Sequence, residues 1–293
     1  MKKILIYARY VKEEYEEPFM IVLTIAKQKG YKVAIIEDLH DHMSKKIGLD
    51  GISKIRTQQE IRSAKIDTVI TLGGDGTILG AASLIGELEI PIFGINLGRL
   101  GFLANVDRNM ISEALDKVDK GHYRIEERSM IYLESDPNVF GDTNYALNDF
   151  TMHKRDTSSM ITIHTYVNGD YLNSYWADGI IVATPTGSTG YSLSCGGPII
   201  FPGSNTFVIT PVAPHNLNVR PLVISDSSII SFEIEGRAKN FLCSLDSRYE
   251  LITAKHQLAV RKCNFVTKLI VLNGQSFLST IHEKLYWGSD QRN

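Results

Sequence analysis

Three glycines, an aspartate and a threonine stand together where a short apolar run meets a helical pattern. Gly73, Gly74 and Gly76 lack Cβ atoms, so the backbone can turn tightly and bring N–H groups close to a ligand. A helix that begins at such a turn points its N-terminus at the ligand, which favours phosphate. Asp75 is unusual there, because its carboxylate repels phosphate unless it contacts a hydroxyl or a metal. The combination indicates phosphoryl transfer.

The turn differs from two common phosphate-binding motifs. No Gly-Lys-Ser/Thr follows it, which excludes a Walker A loop, and its spacing is not G-x-G-x-x-G. The stretch from Gly73 to Thr77 resembles the nucleotide motif shared by NAD kinases, diacylglycerol and sphingosine kinases, and 6-phosphofructokinases. For this stretch alone, an ordinary strand-to-helix turn with an aspartate cap is the alternative.

A second stretch of candidate functional residues runs from Asp178 to Pro198. An apolar strand separates Asp178 from a loop rich in glycine and in hydroxyl side chains. Gly187 and Gly190 let the backbone approach a ligand, and Tyr191 offers a flat face to a base. A Ser/Thr-rich surface turn is the less favoured alternative. The residues that supply hydroxyl donors and acceptors are Thr186, Ser188, Thr189, Ser192 and Ser194.

The first half of the chain alternates between predicted strands and helices, which indicates a parallel sheet of βαβ units. Ligands bind at the carboxyl ends of such strands, where the Gly73–Thr77 turn lies. A second glycine-rich loop, residues 96–102, follows the next strand at the same edge. Residues 39–56 are predicted to be an irregular, mobile connection. The predicted strands are 4–7, 32–36, 68–72 and 91–95, and the predicted helices start at Pro18 or cover 58–65, 77–88 and 111–118.

After residue 122 the apolar period changes from 3.6 to 2, which predicts an all-β, mostly antiparallel domain. Asn168-Gly169 predicts a hairpin turn. Strands are expected at 161–167, 207–210, 222–224, 230–234, 258–262 and 266–272. The expected organisation is therefore an α/β domain over 1–123, an all-β domain over 124–275 and a tail, helical near 279–287, over 276–293; the family resemblance described below implies that the first domain binds nucleotide and the second binds NAD. We expect the two domains to pack firmly, with a cleft between them.

Bulk properties exclude several classes of protein. The chain has 293 residues, 43% of them hydrophobic, and a net charge of −2, so no general nucleic-acid or membrane surface is expected. The N-terminal apolar run is cut by Arg9 and Lys12 and predicts a strand rather than a signal peptide. The three cysteines form no C-x-x-C pair, which favours a reducing cytoplasm. No histidine has zinc-ligand spacing, so no protein metal site is assigned.

Several separated motifs, in order, resemble the NAD kinase family. They are the Gly73–Thr77 turn, Leu147-Asn148-Asp149, the Asp178–Pro198 stretch, and Pro214-His215 followed by Arg220-Pro221-Leu222. Gly190 and Cys195 stand where alanine is usual, and Asp149 where many members have glutamate. Arg248 stands where many bacterial members have glutamine, and no ligand is assigned to it.

The resemblance implies an ATP-dependent NAD kinase, which phosphorylates the 2′-hydroxyl of the adenosine ribose of NAD to give NADP. It implies that Asp75 accepts or orients the hydroxyl proton and that Mg²⁺ or another divalent metal lies on the nucleotide phosphates. It implies that Asn148 and Asp149 contact the ribose of NAD and that Asp178 contacts its nicotinamide end. The other residues implied to bind substrate are Gly76, Phe102 (near the adenine), Thr186, Thr189, Gly190, Tyr191, Ser192, Leu193 and Ser194.

The family resemblance also implies a homo-oligomer in which neighbouring subunits complete the site. Two alternatives stay open at this point. A lipid kinase of the diacylglycerol or sphingosine type shares the Gly73–Thr77 motif and a β-rich second domain, although the hydroxyl-rich loop suits a polar ligand better. A non-catalytic dinucleotide sensor would have little use for Asp75 beside phosphate.

Overall fold

The computed structural model describes residues 2–9, 11–99, 101–155 and 159–287. Its chain forms two compact units: unit 1 comprises Met1–Glu127 and Thr267–Asn293, and unit 2 comprises Arg128–Val266. Leu100 of the second glycine-rich loop and residues 288–293 of the tail lie outside the described residues.

Unit 1 is built on a parallel sheet. The order of its five main strands is β5-β4-β1-β2-β3, and each neighbouring pair is parallel. The short strand β6 also pairs with β5 in parallel. The strands are β1 (Lys3–Tyr7), β2 (Lys32–Ile36), β3 (Ser53–Ile55), β4 (Thr68–Leu72), β5 (Ile92–Asn96) and β6 (Val106–Asp107).

Helices connect these strands and bury their apolar faces against the sheet. Phe19, Val22 and Leu23 of the first helix pack in one cluster with Ile4 and Ile6 of β1. This alternation of strand and helix is what the sequence predicts from short apolar runs that alternate with segments of helical period. The helices are α1 (Glu16–Gln28), α2 (Glu37–Met43), α3 (Gln58–Ala64), α4 (Asp75–Ile85) and α5 (Ile111–Asp119).

Unit 2 is built mainly from antiparallel strands. They form a six-stranded sheet with the order β14-β13-β12-β9-β16-β17 and a run of neighbouring strands in the order β11-β10-β15-β18. The first strands are β7 (Tyr123–Asp136), β8 (Tyr145–Ala146), β9 (Asp149–Lys154), β10 (Ile161–Val167), β11 (Asp170–Ala177) and β12 (Gly179–Ala183). After the short helix α6 (Tyr191–Ser194) come β13 (Thr206–Val212), β14 (Leu222–Ser225), β15 (Ile230–Glu235), β16 (Phe241–Leu245), β17 (Arg248–Ile252) and β18 (Gln257–Leu272).

Strand β12 is the most deeply buried strand next to the candidate site. Ile180 and Val182 lie in the main core of unit 2, while Ile181 and Ala183 pack in a second cluster with Val208. The strand pairs with β9 along one edge and with β13 along the other, so hydrogen bonds hold both of its edges. The residues at the two ends of β12 are therefore fixed in place.

The predicted fold class is confirmed: an α/β part with a parallel sheet is followed by an antiparallel all-β part. The hairpin at Asn168-Gly169 is also confirmed, with φ values of 54° and 87° between β10 and β11. Such positive values are those of the two-residue turns that match strand twist.

Two local predictions are wrong. Residues 39–56 are not an irregular connection, because they contain most of α2 and all of β3. Leu39 and Met43 lie four residues apart on one helical face and are both fully buried, which supports a helix despite its many charges. The strands predicted at 258–262 and 266–272 are one continuous strand, β18, in which the Cys263 thiol donates to the carbonyl of Ile131.

The chain returns to unit 1 earlier than the predicted end of the second domain at residue 275. Leu269 of β18 pairs in parallel with Ile92 of β5, so Thr267 and the residues after it belong to unit 1. The final helix, α7 (Phe277–Leu285), follows and is capped by Ser276, which accepts from the N–H of Ser279. No helix within the described ranges has the length and apolar character needed to cross a bilayer.

Candidate active site

Asp75 is the first residue of α4, yet its carboxylate does not cap that helix. Gly74 is the N-cap, and no side chain caps α4. Instead, one carboxylate oxygen of Asp75 accepts from the N–H of Phe102 at 2.7 Å, and the other accepts from Leu103 and Ala104 at 3.0 Å each. This arrangement differs from the ordinary aspartate cap considered for the turn, because the acid bonds to a different loop.

Two glycines make this arrangement sterically possible. A Cβ atom on Gly101 would lie 1.8 Å from the Asp75 Oδ1 atom, which no side chain can tolerate. Gly73 has a φ of 146° and would place a Cβ atom 2.2 Å from the Thr77 hydroxyl. The turn and the loop therefore come together only because both positions lack a side chain.

The loop that binds Asp75 is itself supported by the C-terminal segment of unit 1. The Gln275 side chain donates to the carbonyl of Asn105 at 2.8 Å, and the Phe277 ring lies 6.3 Å from the ring of Phe102. The Lys284 ammonium lies 5.5 Å from the same Phe102 ring. Phe102, predicted to lie near the adenine, is half-buried between these groups.

Sequence reasoning missed one cation beside the turn. The Arg9 guanidinium lies 3.5 Å from the carbonyl oxygen of Gly76. Gly76 is exposed, as expected for a glycine that faces a ligand. The signal was available, because Arg9 follows β1 at the carboxyl edge of a parallel sheet, where ligands bind.

In unit 2, the Asn148–Asp149 pair lies directly under the hydroxyl-rich loop. The Thr184 hydroxyl donates to the carbonyl of Leu147 at 2.6 Å, and the Thr184 N–H donates to the carbonyl of Asn148 at 2.9 Å. A Cβ atom on Gly187 would lie 2.1 Å from the Asn148 carbonyl oxygen. Gly187 is therefore required for close approach of the loop to the backbone of Asn148.

A side chain at position 190 would meet only mild steric conflict. A Cβ atom there would lie 3.2 Å from the Gly187 carbonyl oxygen and 3.7 Å from the Asn148 amide nitrogen. The same atom would be 3.9 Å from the Asp149 Oδ2 atom. An alanine there would need only a small adjustment, so glycine leaves slightly more room over Asn148 and Asp149.

Asp149 is a buried acid with an unusual proton affinity. Burial raises the pKa of Asp149 to about 7, and the nearby charge of Asp246 adds to the rise. Burial also raises the pKa of Asp246, but three backbone N–H donors and Arg248 oppose that change. With a pKa of about 7, Asp149 holds a proton into the neutral range.

Several of the predicted hydroxyl ligands are engaged within the loop. The Ser188 hydroxyl donates to the Pro185 carbonyl at 2.6 Å, and the Thr189 hydroxyl donates to the Thr186 carbonyl at 3.1 Å. The Ser192 hydroxyl is fully buried and lies 2.8 Å from that of Thr210. These bonds shape the loop, and they are contacts that hydroxyl content alone does not reveal.

A second group of predicted residues meets at the start of β12. The Lys154 ammonium lies 2.5 Å from the Asp178 carboxylate, and the His153 ring stacks on the Tyr191 ring at 5.4 Å. Burial lowers the pKa of His153, so its ring is held neutral despite the nearby Asp178. Burial raises the pKa of the Tyr191 phenol, with smaller contributions from Cys195, Asp178 and Asp149.

Pairing between β9 and β12 explains why these residues share one place. Gly179 pairs with His153 and Ala183 pairs with Asp149, so the two ends of β9 meet the two ends of β12. The sequence analysis assigned no ligand-binding role to His153 or to Lys154. Strand register, which sequence did not reveal, brings them beside Tyr191 and Asp178. Leu193 is half-buried and Ser194 is exposed on α6.

A metal site made of protein side chains is not evident in this part of the chain. Across the described ranges, no three His, Cys, Asp or Glu side chains group closely enough to hold an ion. Mg²⁺ usually binds one or two carboxylates together with substrate phosphates and waters.

Two family models match this chain. The ATP-NAD kinase N-terminal domain matches residues 4–123, and the ATP-NAD kinase C-terminal domain matches residues 147–272. Among curated relatives, an NAD kinase from Cytophaga hutchinsonii is 53% identical over 229 residues, which is 78% of each chain. An NAD kinase from Flavobacterium johnsoniae is 41% identical and covers 99% of this chain and 100% of its own.

Solved structures show the same fold. Yeast NADH kinase complexed with NADH has a TM-score of 0.88 at 24% identity, covering 99% of this chain and 88% of its own. An NAD kinase from Archaeoglobus fulgidus in complex with ATP has a TM-score of 0.71 at 22% identity, covering 97% and 99%. The fold and the sequence matches define an ATP-dependent phosphotransferase. The chain belongs to the NAD kinase family.

The contact between Gly101 and Asp75 predicts a specific loss of turnover. Gly101→Ala should displace the Asp75 carboxylate or the loop, and misplacement by about 1 Å can lower turnover on the order of 10²-fold. Gly98→Ala is the matched control, because a Cβ atom at Gly98 meets nothing within 4 Å. Steady-state kinetics of both variants tests this; equal turnover in the two would contradict the role of Gly101.

The raised pKa of Asp149 predicts a pH-dependent stability of the ligand-free protein. Between its ordinary pKa of 3.8 and about 7, the folded protein holds a proton that the unfolded chain releases. The free energy of unfolding should therefore fall as pH rises through this range, and Asp149→Asn should remove that fall. Denaturant titrations of both proteins from pH 4 to 8 measure the difference. A constant difference would mean that Asp149 titrates normally.

Proposed function

We propose that this chain transfers the γ-phosphoryl group of ATP to the 2′-hydroxyl of the adenosine ribose of NAD, giving NADP and ADP. The observation that carries the proposal is the Asp75 carboxylate, which three backbone N–H groups hold at the N-terminus of α4. Membership of the NAD kinase family supports the choice of both substrates.

In this proposal Asp75 orients the attacking hydroxyl and accepts its proton. Each oxygen of a carboxylate has two acceptor positions, so the bonds from Phe102, Leu103 and Ala104 leave acceptor capacity for a hydroxyl. A carboxylate is a weak base toward an alcohol, so the fixed position contributes as much as the proton transfer. Phosphate would be bound by the N-terminus of α4 and by Arg9.

Asn148 and Asp149 are proposed to bind the ribose hydroxyls of NAD. The buried amide oxygen of Asn148 has no hydrogen-bond partner among the described residues, and such a group is costly unless a ligand satisfies it. Asp149 can donate when protonated and accept when ionised, and a ribose hydroxyl can do either. The two residues thus present complementary groups to one diol.

The remaining predicted residues are assigned to the dinucleotide pocket. Asp178 is proposed for the nicotinamide end, and Tyr191 supplies a ring face that His153 already supports from its other side. Gly76 is proposed beside phosphate and Phe102 near the adenine. The rest of the loop shapes the pocket through Thr186, Thr189, Gly190, Ser192, Leu193 and Ser194.

A divalent ion is part of the proposal as a companion of ATP. When bound to the nucleotide phosphates, Mg²⁺ would neutralise charge on the transferred group. We also propose that the protein acts in the cytoplasm as a homo-oligomer, without nucleic-acid or membrane partners. The family matches give no support to the lipid-kinase and sensor alternatives.

Product analysis tests the activity directly. The protein is incubated with Mg²⁺-ATP and either NAD or diacylglycerol, and phosphorylated products are identified by mass. NADP formation is expected, with no phosphatidic acid. Phosphorylated lipid alone would favour the lipid kinase, whereas NAD binding without either product would favour the sensor.

Removal of the charge at position 75 should abolish most turnover. Asp75→Asn keeps the shape of the side chain but removes the proton acceptor, and we expect kcat to fall on the order of 10²-fold or more. NAD affinity should change much less, because the variant retains the ribose-binding residues. Initial rates and calorimetric titration with NAD provide the two measurements. Turnover near that of the wild type would remove Asp75 from catalysis.

Removal of Asp149 should weaken NAD binding. Loss of a hydrogen bond to a charged or buried acid costs about 1.5–3 kcal/mol, so Asp149→Ala should bind NAD roughly 10- to 150-fold more weakly. Asp149→Glu, the commoner family residue, is the companion variant that tests whether the shorter acid is compensated. Calorimetry showing unchanged affinity for Asp149→Ala would exclude Asp149 from the site.

A further inference from the structure

The tight turn between β16 and β17 contains a buried acid in an unusual backbone conformation. Asp246 and Ser247 connect the two strands, and Asp246 has a φ of 53°. Positive φ is uncommon for residues other than glycine, although aspartate and asparagine tolerate it best. A turn that needs only this conformation would be served by glycine or asparagine, so the carboxylate of Asp246 has a further use.

That carboxylate bonds to the backbone of the Asn148–Asp149 pair. Its oxygens accept from the N–H groups of Leu147 at 3.0 Å, Asn148 at 2.8 Å and Asp149 at 3.3 Å. The Asp246 N–H in turn donates to the carbonyl of Asp149 at 3.0 Å. Four hydrogen bonds therefore join one side chain and its own backbone to three consecutive residues.

Arg248 supports the chain immediately before this pair. Its guanidinium donates two hydrogen bonds, to the carbonyls of Thr143 and Tyr145. It also lies 6.0 Å from the ring centres of Phe140 and Tyr145, a distance suited to cation–π attraction. Attraction between its charge and that of Asp246 stabilises both groups.

The sheet itself does not need these contacts to align β9 with β16. Five pairs of residues, from Phe241↔Lys154 to Leu245↔Phe150, already fix that register. The bonds from Asp246 begin where this ladder ends and act on the residues that precede the strand. They therefore determine how the Asn148–Asp149 pair is presented rather than whether the sheet forms.

We propose that Asp246 and Arg248 are positioning residues that hold Asn148 and Asp149 in the orientation required to bind the ribose of NAD. The family resemblance assigned no ligand to Arg248, and its hydrogen bonds in the structure are to backbone carbonyls. The inference rests on the proposed ribose contacts of Asn148 and Asp149, so its test includes the Asp149→Ala variant.

The test separates NAD recognition from the rest of the reaction. In Asp246→Asn, the side-chain amide would place an N–H group against backbone N–H groups that need an acceptor. The loss of a charged hydrogen bond should raise the KM and Kd for NAD about ten-fold. The KM for ATP should stay near that of the wild type. Arg248→Gln should raise the KM for NAD by a smaller factor. Arg248→Lys should not restore the wild-type KM fully, because an ammonium group lacks the planar geometry with which the guanidinium donates to two carbonyls.

Asp226→Asn is the matched control for a loss of stability. Asp226 is likewise a buried acid of unit 2, only 5% exposed, but it pairs with Lys262 at 2.5 Å. This variant should lower the midpoint of thermal unfolding while leaving the KM for NAD unchanged. If Asp246→Asn shows only the same loss of stability, with unchanged KM and Kd for NAD, the positioning role is overturned.

The comparison with Asp149→Ala distinguishes two kinds of failure. Weakened NAD binding in Asp149→Ala with normal binding in Asp246→Asn overturns the positioning inference and leaves the ribose contact in place. Normal binding in Asp149→Ala overturns the proposed ribose contact and the positioning inference with it. Weakened NAD binding in both variants, with normal binding in Asp226→Asn, supports the inference.

Discussion

The fixed carboxylate of Asp75 is the interaction on which the candidate residues of unit 1 depend. A carboxylate at a helix N-terminus would repel a phosphate ligand unless part of its charge were neutralised. Three backbone N–H groups from the 102–104 segment hold it in one place and satisfy part of its charge. This solution requires two loops to touch, and a glycine at position 101 is what permits that contact.

The candidate residues of unit 2 are organised around a different constraint, the proximity of two buried acids. Asp149 and Asp246 would repel one another if both were ionised at full strength. The two carboxyl groups have different environments. Asp246 accepts three backbone N–H hydrogen bonds and lies near the charge of Arg248, both of which oppose the rise in its pKa, whereas Asp149 is buried without such donors. Asp149 therefore retains a proton affinity that can be matched to a polar ligand.

Much of the fold follows from the sequence, because periodicity reports directly on which faces are buried. The parallel strands, the change to period 2 and the Asn168-Gly169 hairpin all depend on local patterns of this kind. The α2 helix was missed because Leu39 and Met43 are its only fully buried apolar residues among acids and histidines. Its stability comes from packing, which a short polar segment does not reveal.

The sequence predicts candidate residues for the site, but it does not reveal their partners within the protein. Glycines, acids and hydroxyls in ordered motifs indicate where ligands bind, and those motifs lie on loops that the strands position. The contact between Asp75 and the loop at 102–104, the bond from Asp246 to Asn148 and the stacking of His153 on Tyr191 join residues far apart in sequence. Such contacts depend on strand register and loop closure, which composition and spacing do not specify.

The return of β18 to unit 1 has a consequence for how the chain is made. Unit 1 takes its main strands from the first part of the sequence but also needs Leu269 beside Ile92 and the side chain of Gln275 on Asn105. During synthesis those last segments leave the ribosome only after all of unit 2 has emerged. The loop that holds Asp75 thus gains its full support only after unit 2 has been synthesised, which delays the final positioning of the Asp75 carboxylate.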